Sequence, residues 1–359
     1  MDFTSRLLQW YQFNQREFPW RNSGDPYKIW LSEIILQQTR VVQGMVYYYR
    51  FLDKFPTIQH LANSSEDQVL SLWQGLGYYS RARNLHATAK EIVFEHNGNF
   101  PTRVDELLKL KGIGPYTAAA IASMAFDSPV AAVDGNVLRV ISRFYAIEEP
   151  VDNPLIHKEI KRSAQLLLDE SNPGEFNQAL MDFGAMVCKP SRPLCNDCPF
   201  FIDCLARIKN KQEQIPRKKG KIKVKKRFFH FLYLFHRENN EYLFFIEKRE
   251  KEDIWKNLFQ LPLVETNSNI INNEILIQHP LMEKLFKDRH DICIQEDIAF
   301  FTHKLTHQHI QAFFYSIPVS QNYSDNFAEG YTMVSFDKFT GMGKPVLISK
   351  YLDKKMQNR

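Results

Sequence analysis

The sequence predicts a chain built in two parts, a mostly helical part over residues 1–207 and an α+β part over 228–359, joined by a basic connector at 208–227. Three observations predict this. Apolar residues recur at helical spacing through the first part. Four cysteines, Cys188, Cys195, Cys198 and Cys204, close it with the spacing C-x6-C-x2-C-x5-C. Beyond the connector the texture changes to short, aromatic-rich runs of strand type. A length of 359 residues allows two or three domains, each able to bury a core.

The helical spacing falls in 28–39, 66–75, 103–110, 115–126, 136–146 and 155–170, separated by Gly, Pro and Asn breaks. The cysteine loop of 188–204 follows. Met1-Asp2-Phe3-Thr4-Ser5-Arg6 opens with an acid and runs into an amphipathic stretch, so no export signal is expected. The expected compartment is therefore reducing, where a disulfide knot is disfavoured and a metal centre preferred. Structural zinc commonly uses two short Cys pairs or Cys with His, whereas here one tight pair is flanked by longer arms. Four thiolates around a compact body suit a cubane iron–sulfur cluster, with zinc as the alternative. The fifth cysteine, Cys293, is expected to be a small buried hydrophobe.

Hydrophobic content of 44% and charged content of 24% exclude a disordered or low-complexity chain. No apolar run approaches the ~18 residues a membrane helix needs. Residues 209–227 hold ten Lys/Arg against Glu213, a local +9 that leaves the rest of the chain near −4 of the net +5. Such a run suits a polyanion, or simply a solvated connector. In the second part, 228–235 and 242–246 read as strands, and 298–305 and 308–317 flank Thr306-His307. A helix is expected at 345–356. Neither a P-loop nor G-x-G-x-x-G is present, so nucleotide-cofactor chemistry has no support.

Leu110-Lys111-Gly112-Ile113-Gly114-Pro115-Tyr116 lies between two helical segments. Thr102 is the expected N-cap of the first and Pro115 fits the first turn of the second. Gly112 and Gly114 let backbone N–H groups face an anion at the positive end of the following helix. Read alone, the segment is equally an ordinary αα-hairpin. The small residues Thr117-Ala118-Ala119-Ala120-Ile121-Ala122 permit close helix packing.

This hairpin, an aspartate about 20 residues on, and the cysteine spacing resemble the endonuclease III superfamily of DNA glycosylases. Within it, Trp30-Leu31-Ser32-Glu33-Ile34-Ile35-Leu36-Gln37-Gln38-Thr39 and Gly75-Leu76-Gly77-Tyr78-Tyr79-Ser80-Arg81-Ala82-Arg83-Asn84 resemble the adenine DNA glycosylases. Pro19-Trp20-Arg21 fits that family's N-terminal pattern, while Phe18 replaces its usual leucine. The resemblance implies a helix-hairpin-helix domain over 1–207 with a [4Fe-4S] cluster on the four cysteines. It implies that Glu33 is the general acid and that Asp134, in Val133-Asp134-Gly135-Asn136, faces the sugar with Asn136 beside it. Read from the residues alone, Glu33 is a solvent-facing helix glutamate and Asp134 an N-cap. Bifunctional relatives carry a lysine where this chain has Tyr116; a phenol forms no imine, so base removal without efficient strand cleavage is expected. Gln38 and Tyr78 correspond to residues that fill the stack when a base is flipped out. Arg21, Leu36 and Gln178 correspond to adenine-pocket positions.

The resemblance extends to a Nudix-like domain over 228–359 that lacks the Nudix catalytic box, so pyrophosphate hydrolysis is not expected. Trp255-Lys256-Asn257-Leu258-Phe259-Gln260-Leu261-Pro262 follows the family's Trp-x-Gly-Leu-Trp-x-x-Pro, with Asn257 and Phe259 departing. Leu305-Thr306-His307 stands for the Phe-Ser-His segment that probes 8-oxoguanine. A histidine metal site at His303, His307 and His309 is disfavoured for want of acids or thiolates. The implied substrate is duplex DNA with adenine opposite 8-oxoguanine or guanine, acted on by a monomer without membrane attachment, in the cytoplasm or on the nucleoid. Two alternatives are a catalytically silent iron–sulfur DNA-binding protein and a pyrimidine-specific glycosylase of the same fold.

Overall fold

In the computed structural model, which describes all residues except 1, 22, 221–223, 239–240, 269–272, 287–291, 296, 321–327 and 358–359, helix starts follow the capping chemistry of the sequence. Asp2 accepts from Ser5 N ahead of α1 (Phe3–Asn14), and Asp25 accepts from Tyr27 N ahead of α2 (Pro26–Leu36), which begins on proline. There follow α3 (Val41–Lys54), α4 (Ile58–Asn63), α5 (Glu66–Leu72) and α6 (Ser80–Glu95). Ser65 and Gln68 form a full capping box on α5. Next come α7 (Val104–Leu107), α8 (Pro115–Phe126), α9 (Gly135–Phe144), α10 (Pro154–Leu166), α11 (Pro173–Met186) and α12 (Leu205–Ile208). Helices α3, α4, α6, α11 and α12 lie outside the segments the helical spacing singles out. Tyrosines crowd α3, and α11 has interior glycine and asparagine, so both mask the usual stripe.

The described residues form two compact units, 1–63 with 84–220 and 64–83 with 221–359. The first is built around α11, buried at nearly every position from Pro173 to Gly184 and packed against α1, α8 and α9. Glycine makes those approaches possible. A Cβ at Gly174 would meet the Ser123 carbonyl oxygen at 2.9 Å, and one at Gly184 would meet Asn136 Cβ at 2.7 Å. The hairpin between α7 and α8 turns through Gly112 at φ +79°. It is held from α6: Asn84 fills the space a Cβ on Gly112 would take, and Thr88 Oγ1 donates to the Lys111 carbonyl at 2.6 Å. Thr102 does not cap α7. Arg103 holds the N-cap position without a side-chain cap bond and pairs instead with Asp105, whose first-turn charge suits the helix dipole.

The basic connector is not a free linker up to residue 219. Ile215 is buried against Ala146 and Ala206, Lys211 Nζ pairs with Glu148 at 2.5 Å, and Lys219 N donates to Asp152 at 3.0 Å. Carboxylates opposite a cationic run neutralise it locally. Lys221 and Lys223 lie outside the described residues.

In the second unit one sheet runs β3 (Phe259–Gln260), β2 (Glu241–Lys248), β1 (Lys225–Glu238), β6 (Gln308–Pro318), β5 (Ala299–Lys304), with β4 (Leu263–Thr266) on β1 and β7 (Tyr331–Ser335) on β2. The β1–β6 pairing is parallel and the others antiparallel. Strand alternation divides β6 between two layers. Tyr315 and Ile317 enter a core with α13 (Asn273–Ile277) and α14 (Pro280–Leu285), while Phe314 stacks at 4.2 Å on Tyr351 of α16 (Val346–Gln357). The short α15 (Phe336–Thr340) follows β7. Strands β3, β4 and β7 are too short to show alternation in the sequence. Cys293 is exposed, not buried as expected, because its segment joins no strand or helix.

His230 is fully buried on β1, its two ring nitrogens bonded to the Tyr315 hydroxyl at 3.1 Å and Thr266 Oγ1 at 3.0 Å. Burial lowers its pKa from 6.5 to about 4, so the folded unit holds it neutral. The unfolded chain then binds the extra proton between those values, and stability present above pH 6.5 is lost as pH falls toward 4. His230→Gln should therefore lose less of its urea midpoint than wild type between pH 7 and 4.5; equal losses would refute this account.

Candidate active site

Burying ionisable groups is unfavourable unless each finds a partner. The first unit does this around a cavity of about 730 Å³. Glu33 reaches it from α2, Tyr116 from the first turn of α8, Asp134 and Asn136 from the start of α9, and Met181 from α11. Arg21, Leu36, Gln38, Gly112 and Gly114 complete the part of the wall expected from the sequence. Glu33 and Asp134, about 100 residues apart in the chain, thus share one cavity. Gln178 does not line it; its Oε1 accepts from the Tyr11 hydroxyl at 3.2 Å, a turn before Met181.

Glu33 is 8% exposed, which excludes a solvent-facing role. The Tyr116 hydroxyl donates to its Oε2 at 2.5 Å and lies 3.7 Å from Met181 Sδ. Burial pushes the Glu33 carboxyl up to about 7; the Tyr116 bond opposes the shift and the Asp134 charge adds to it. Asp134 is both cavity wall and N-cap: its Oδ1 accepts from Asn136 N and Val137 N, each at 2.8 Å, and its Oδ2 from Asn136 Nδ2 at 2.6 Å. Burial raises its pKa, and those donors counteract the rise. An acid poised near neutrality beside a second, hydrogen-bonded carboxylate is suited to proton delivery next to a developing cation.

Arg139 extends this network. It donates to Asn136 Oδ1 at 2.9 Å, to the Gly184 carbonyl at 2.7 Å and to the Cys188 carbonyl at 2.7 Å. One turn later Arg143 approaches Cys188 Sγ at 3.4 Å and donates to the Lys189 and Pro190 carbonyls. Helix α9 therefore ties the carboxylate to the cysteine loop. All four cysteines of that loop line one small cavity. Four thiols facing one small cavity are the donor set that a compact four-iron body takes.

On the wall that carries Arg21, the partner Asp182 was not legible as chemistry. Asp182, fully buried, accepts from Arg21 Nη1 and Nη2 at 2.7 and 2.8 Å and from Arg16 Nε at 2.8 Å. Both guanidiniums lie within 5 Å of the Phe18 ring, which stacks on Trp20. Arg21 is thus oriented by Asp182, and Phe18 serves as the plate under the pair. Asp182, Arg139 and Gly184 left only faint sequence signals: charged residues inside apolar helix stripes, and a glycine within a helix.

Gln38 and Tyr78 have φ of 56° and 48°, left-handed values uncommon for such residues. Tyr78 belongs to the second unit, where it is 39% exposed while Tyr79 is buried. Its hydroxyl meets Thr306 Oγ1 at 2.5 Å. Tyr78, His307, Trp255 and His303 share a cavity of about 430 Å³ in that unit.

Residues 31–166 match the family model of the HhH-GPD superfamily base excision DNA repair proteins, and residues 231–354 that of the NUDIX domain. A buried acid in such a helical frame defines a DNA N-glycosylase of the helix-hairpin-helix class. The adenine DNA glycosylase of Buchnera aphidicola subsp. Baizongia pistaciae is 38% identical over 307 residues, covering 85% of this chain and 83% of that one. The namesake of Buchnera aphidicola subsp. Acyrthosiphon pisum is 34% identical over 348 residues, covering 96% and 95%. Among solved structures, a thermostable thymine-DNA glycosylase superposes with a TM-score of 0.54 at 30% identity, over 58% of this chain and 95% of that one. The chain belongs to the adenine DNA glycosylase family.

Gly184→Ala would drive a methyl into Asn136, so it should destabilise the fold by ~1–3 kcal/mol and slow base release more than it weakens DNA binding. Thermal melts and single-turnover rates check this; a variant with wild-type rate would show that the α9–α11 approach does not set the site.

Proposed function

We propose that this enzyme excises adenine paired with 8-oxoguanine or guanine in duplex DNA and leaves the strand intact. The observation that carries the reading is Glu33, held by the Tyr116 hydroxyl, sharing one cavity with Asp134. Glu33, whose raised pKa of about 7 keeps a large share of it protonated at neutral pH, gives its proton to the departing purine. The bond from C1′ to the base nitrogen breaks with its electron pair going to the base. Asp134 stabilises the resulting cationic sugar, with Asn136 fixing the carboxylate's direction. Water then adds to C1′, and its proton passes to the Glu33 carboxylate, restoring the acid. Tyr116 has no amine to replace water, so no imine forms. Arg21 and Leu36 bound the base, while Gln38 and Tyr78 fill the vacated stack and Thr306 and His307 read the opposite purine. Gly112 and Gly114 offer N–H groups to a phosphate.

Cys188, Cys195, Cys198 and Cys204 would hold a [4Fe-4S] cluster, which when bound supplies a rigid anchor for the loop carrying Lys189 and Arg192. Among the described residues no helix is long and apolar enough to cross a membrane. A monomer acting in the cytoplasm or on the nucleoid completes the reading.

Single-turnover cleavage of duplexes with adenine opposite 8-oxoguanine, guanine or thymine tests it. Alkali-dependent scission, fastest opposite 8-oxoguanine and without a borohydride-trapped adduct, is the expected result. A trapped adduct would remove the water mechanism, and inactivity with DNA binding intact would leave a silent DNA-binding protein. Glu33→Gln should lower the rate at least ~10²-fold while keeping DNA affinity. Because the raised Glu33 pKa puts its acid form below about pH 7, the wild-type rate should fall as pH rises through 7. A rate flat from pH 6 to 9 would move the acid role elsewhere.

A further inference from the structure

Residues 64–83 lie early in the chain, yet several of their side chains bond to the sheet, its loops and helix α16 of their own unit. Glu66 Oε1 accepts from Asn257 Nδ2 at 2.6 Å, Asp67 pairs with Lys248 at 3.0 Å, and Gln74 Nε2 donates to Ser349 Oγ at 2.6 Å. The Tyr79 hydroxyl donates to the Lys344 carbonyl at 3.2 Å, and Arg83 Nη1 to the Lys256 carbonyl at 2.9 Å. A Cβ on Gly343 would stand 2.9 Å from Leu70 Cβ, so the backbone itself comes close.

The turn that takes two of these bonds, at Lys256 and Asn257, is unusual. Trp255 and Asn257, on either side of Lys256, have φ of 63° and 64°. Asparagine is among the few side chains that tolerate this conformation, so Asn257 can stand where the family pattern has glycine. Unlike glycine it brings an amide, and that amide is spent on Glu66. From this anchor a stiff path leads to the tip. Trp73 Nε1 donates to the Gly77 carbonyl at 3.0 Å. Arg81 Nη2 donates to the Leu76 and Gly77 carbonyls at 3.2 Å, its guanidinium 5.0 Å from the Trp73 ring and 5.8 Å from that of Tyr78. Tyr78 ends the path on Thr306.

We propose that residues 64–83 work as a finger of the recognition unit, and that the Glu66–Asn257 latch is a positioning element setting the discrimination between 8-oxoguanine and guanine opposite adenine. The latch acts through Tyr78, whose placement beside Thr306 it fixes. This rests on the mispair reading proposed above.

The test uses the full chain. Asn257→Gly removes the amide while keeping a residue at ease at φ 64°, Glu66→Ala removes its acceptor, and Glu66→Gln keeps an acceptor without the charge. Single-turnover rates are measured opposite 8-oxoguanine and guanine, and deuterium uptake is followed at residues 75–80 of the free protein. The expected result is a rate ratio lowered about fivefold in Asn257→Gly and Glu66→Ala. It is restored in Glu66→Gln, no lower in the double variant, and accompanied by faster uptake at 75–80. An unchanged ratio, an equal slowing on both duplexes, or no rescue by glutamine overturns the proposal. Should wild type show no preference between the two duplexes, the mispair reading fails by itself. Uptake then decides the latch: faster exchange in Asn257→Gly and Glu66→Ala keeps the finger in place, and unmoved exchange removes it.

Discussion

Two carboxyl groups sharing one cavity, Glu33 buried and Asp134 half-buried, are the constraint from which the first unit is organised. An isolated buried carboxylate is unfavourable by several kcal/mol, and two near each other are worse. The chain meets this in two different ways. Glu33 sits among apolar side chains of α2 with one hydroxyl for company, and it answers burial by keeping its proton up to about pH 7. Asp134 occupies a helix N-terminus, where three donors and the dipole favour the charge. One fold thereby gives the two carboxyl groups of a single cavity different surroundings, one apolar and one rich in donors that oppose the rise burial causes.

That difference survives only if α9 stays where it is. Its N-terminus is pressed on α11 at Gly184, and its side is bolted by Arg139 and Arg143 to the cysteine loop. Arginine suits this place because its planar fork serves several carbonyls at once, which a lysine could not. The loop is consequently part of the scaffold of the site and not an appendage. A cluster held by four cysteines would hold Cys188 fixed, and with it the carbonyl that Arg139 uses.

Much of this was legible in the sequence where a local rule and a long-range demand coincide. Pro115 opens α8, Asp134 caps α9, and the aromatic runs at 228–235 and 308–317 became the central strands. Glycine at 112 was readable because a left-handed turn requires it. What escaped depends on partners distant in the chain. Thr102 had the right chemistry for a cap, but one residue of register gave the position to Arg103. Asp182 sits in an apolar helix stripe and reads as an interruption until Arg16 and Arg21 are brought to it. Nothing local in Ser65–Arg83 announces that these residues are held by the sheet, its loops and helix α16. The departure Asn257 shows the same thing, since it is explained by a contact with Glu66 that no neighbour in sequence supplies, whereas Phe18 meets the guanidiniums of its near neighbours Arg16 and Arg21.

The basic run at 209–227 shows how far composition can be trusted as electrostatics. Its local charge of +9 suggests a polyanion tether. Lys211 and Arg217 are bound by Glu148, and Arg227, buried on β1, is shared by Asp253 and Glu265. Charges satisfied inside the protein release few counterions when DNA binds, because the phosphates do not replace their partners. Lys211, Arg217 and Arg227 therefore add little to the attraction that brings DNA in, which rests on the other cations of the chain.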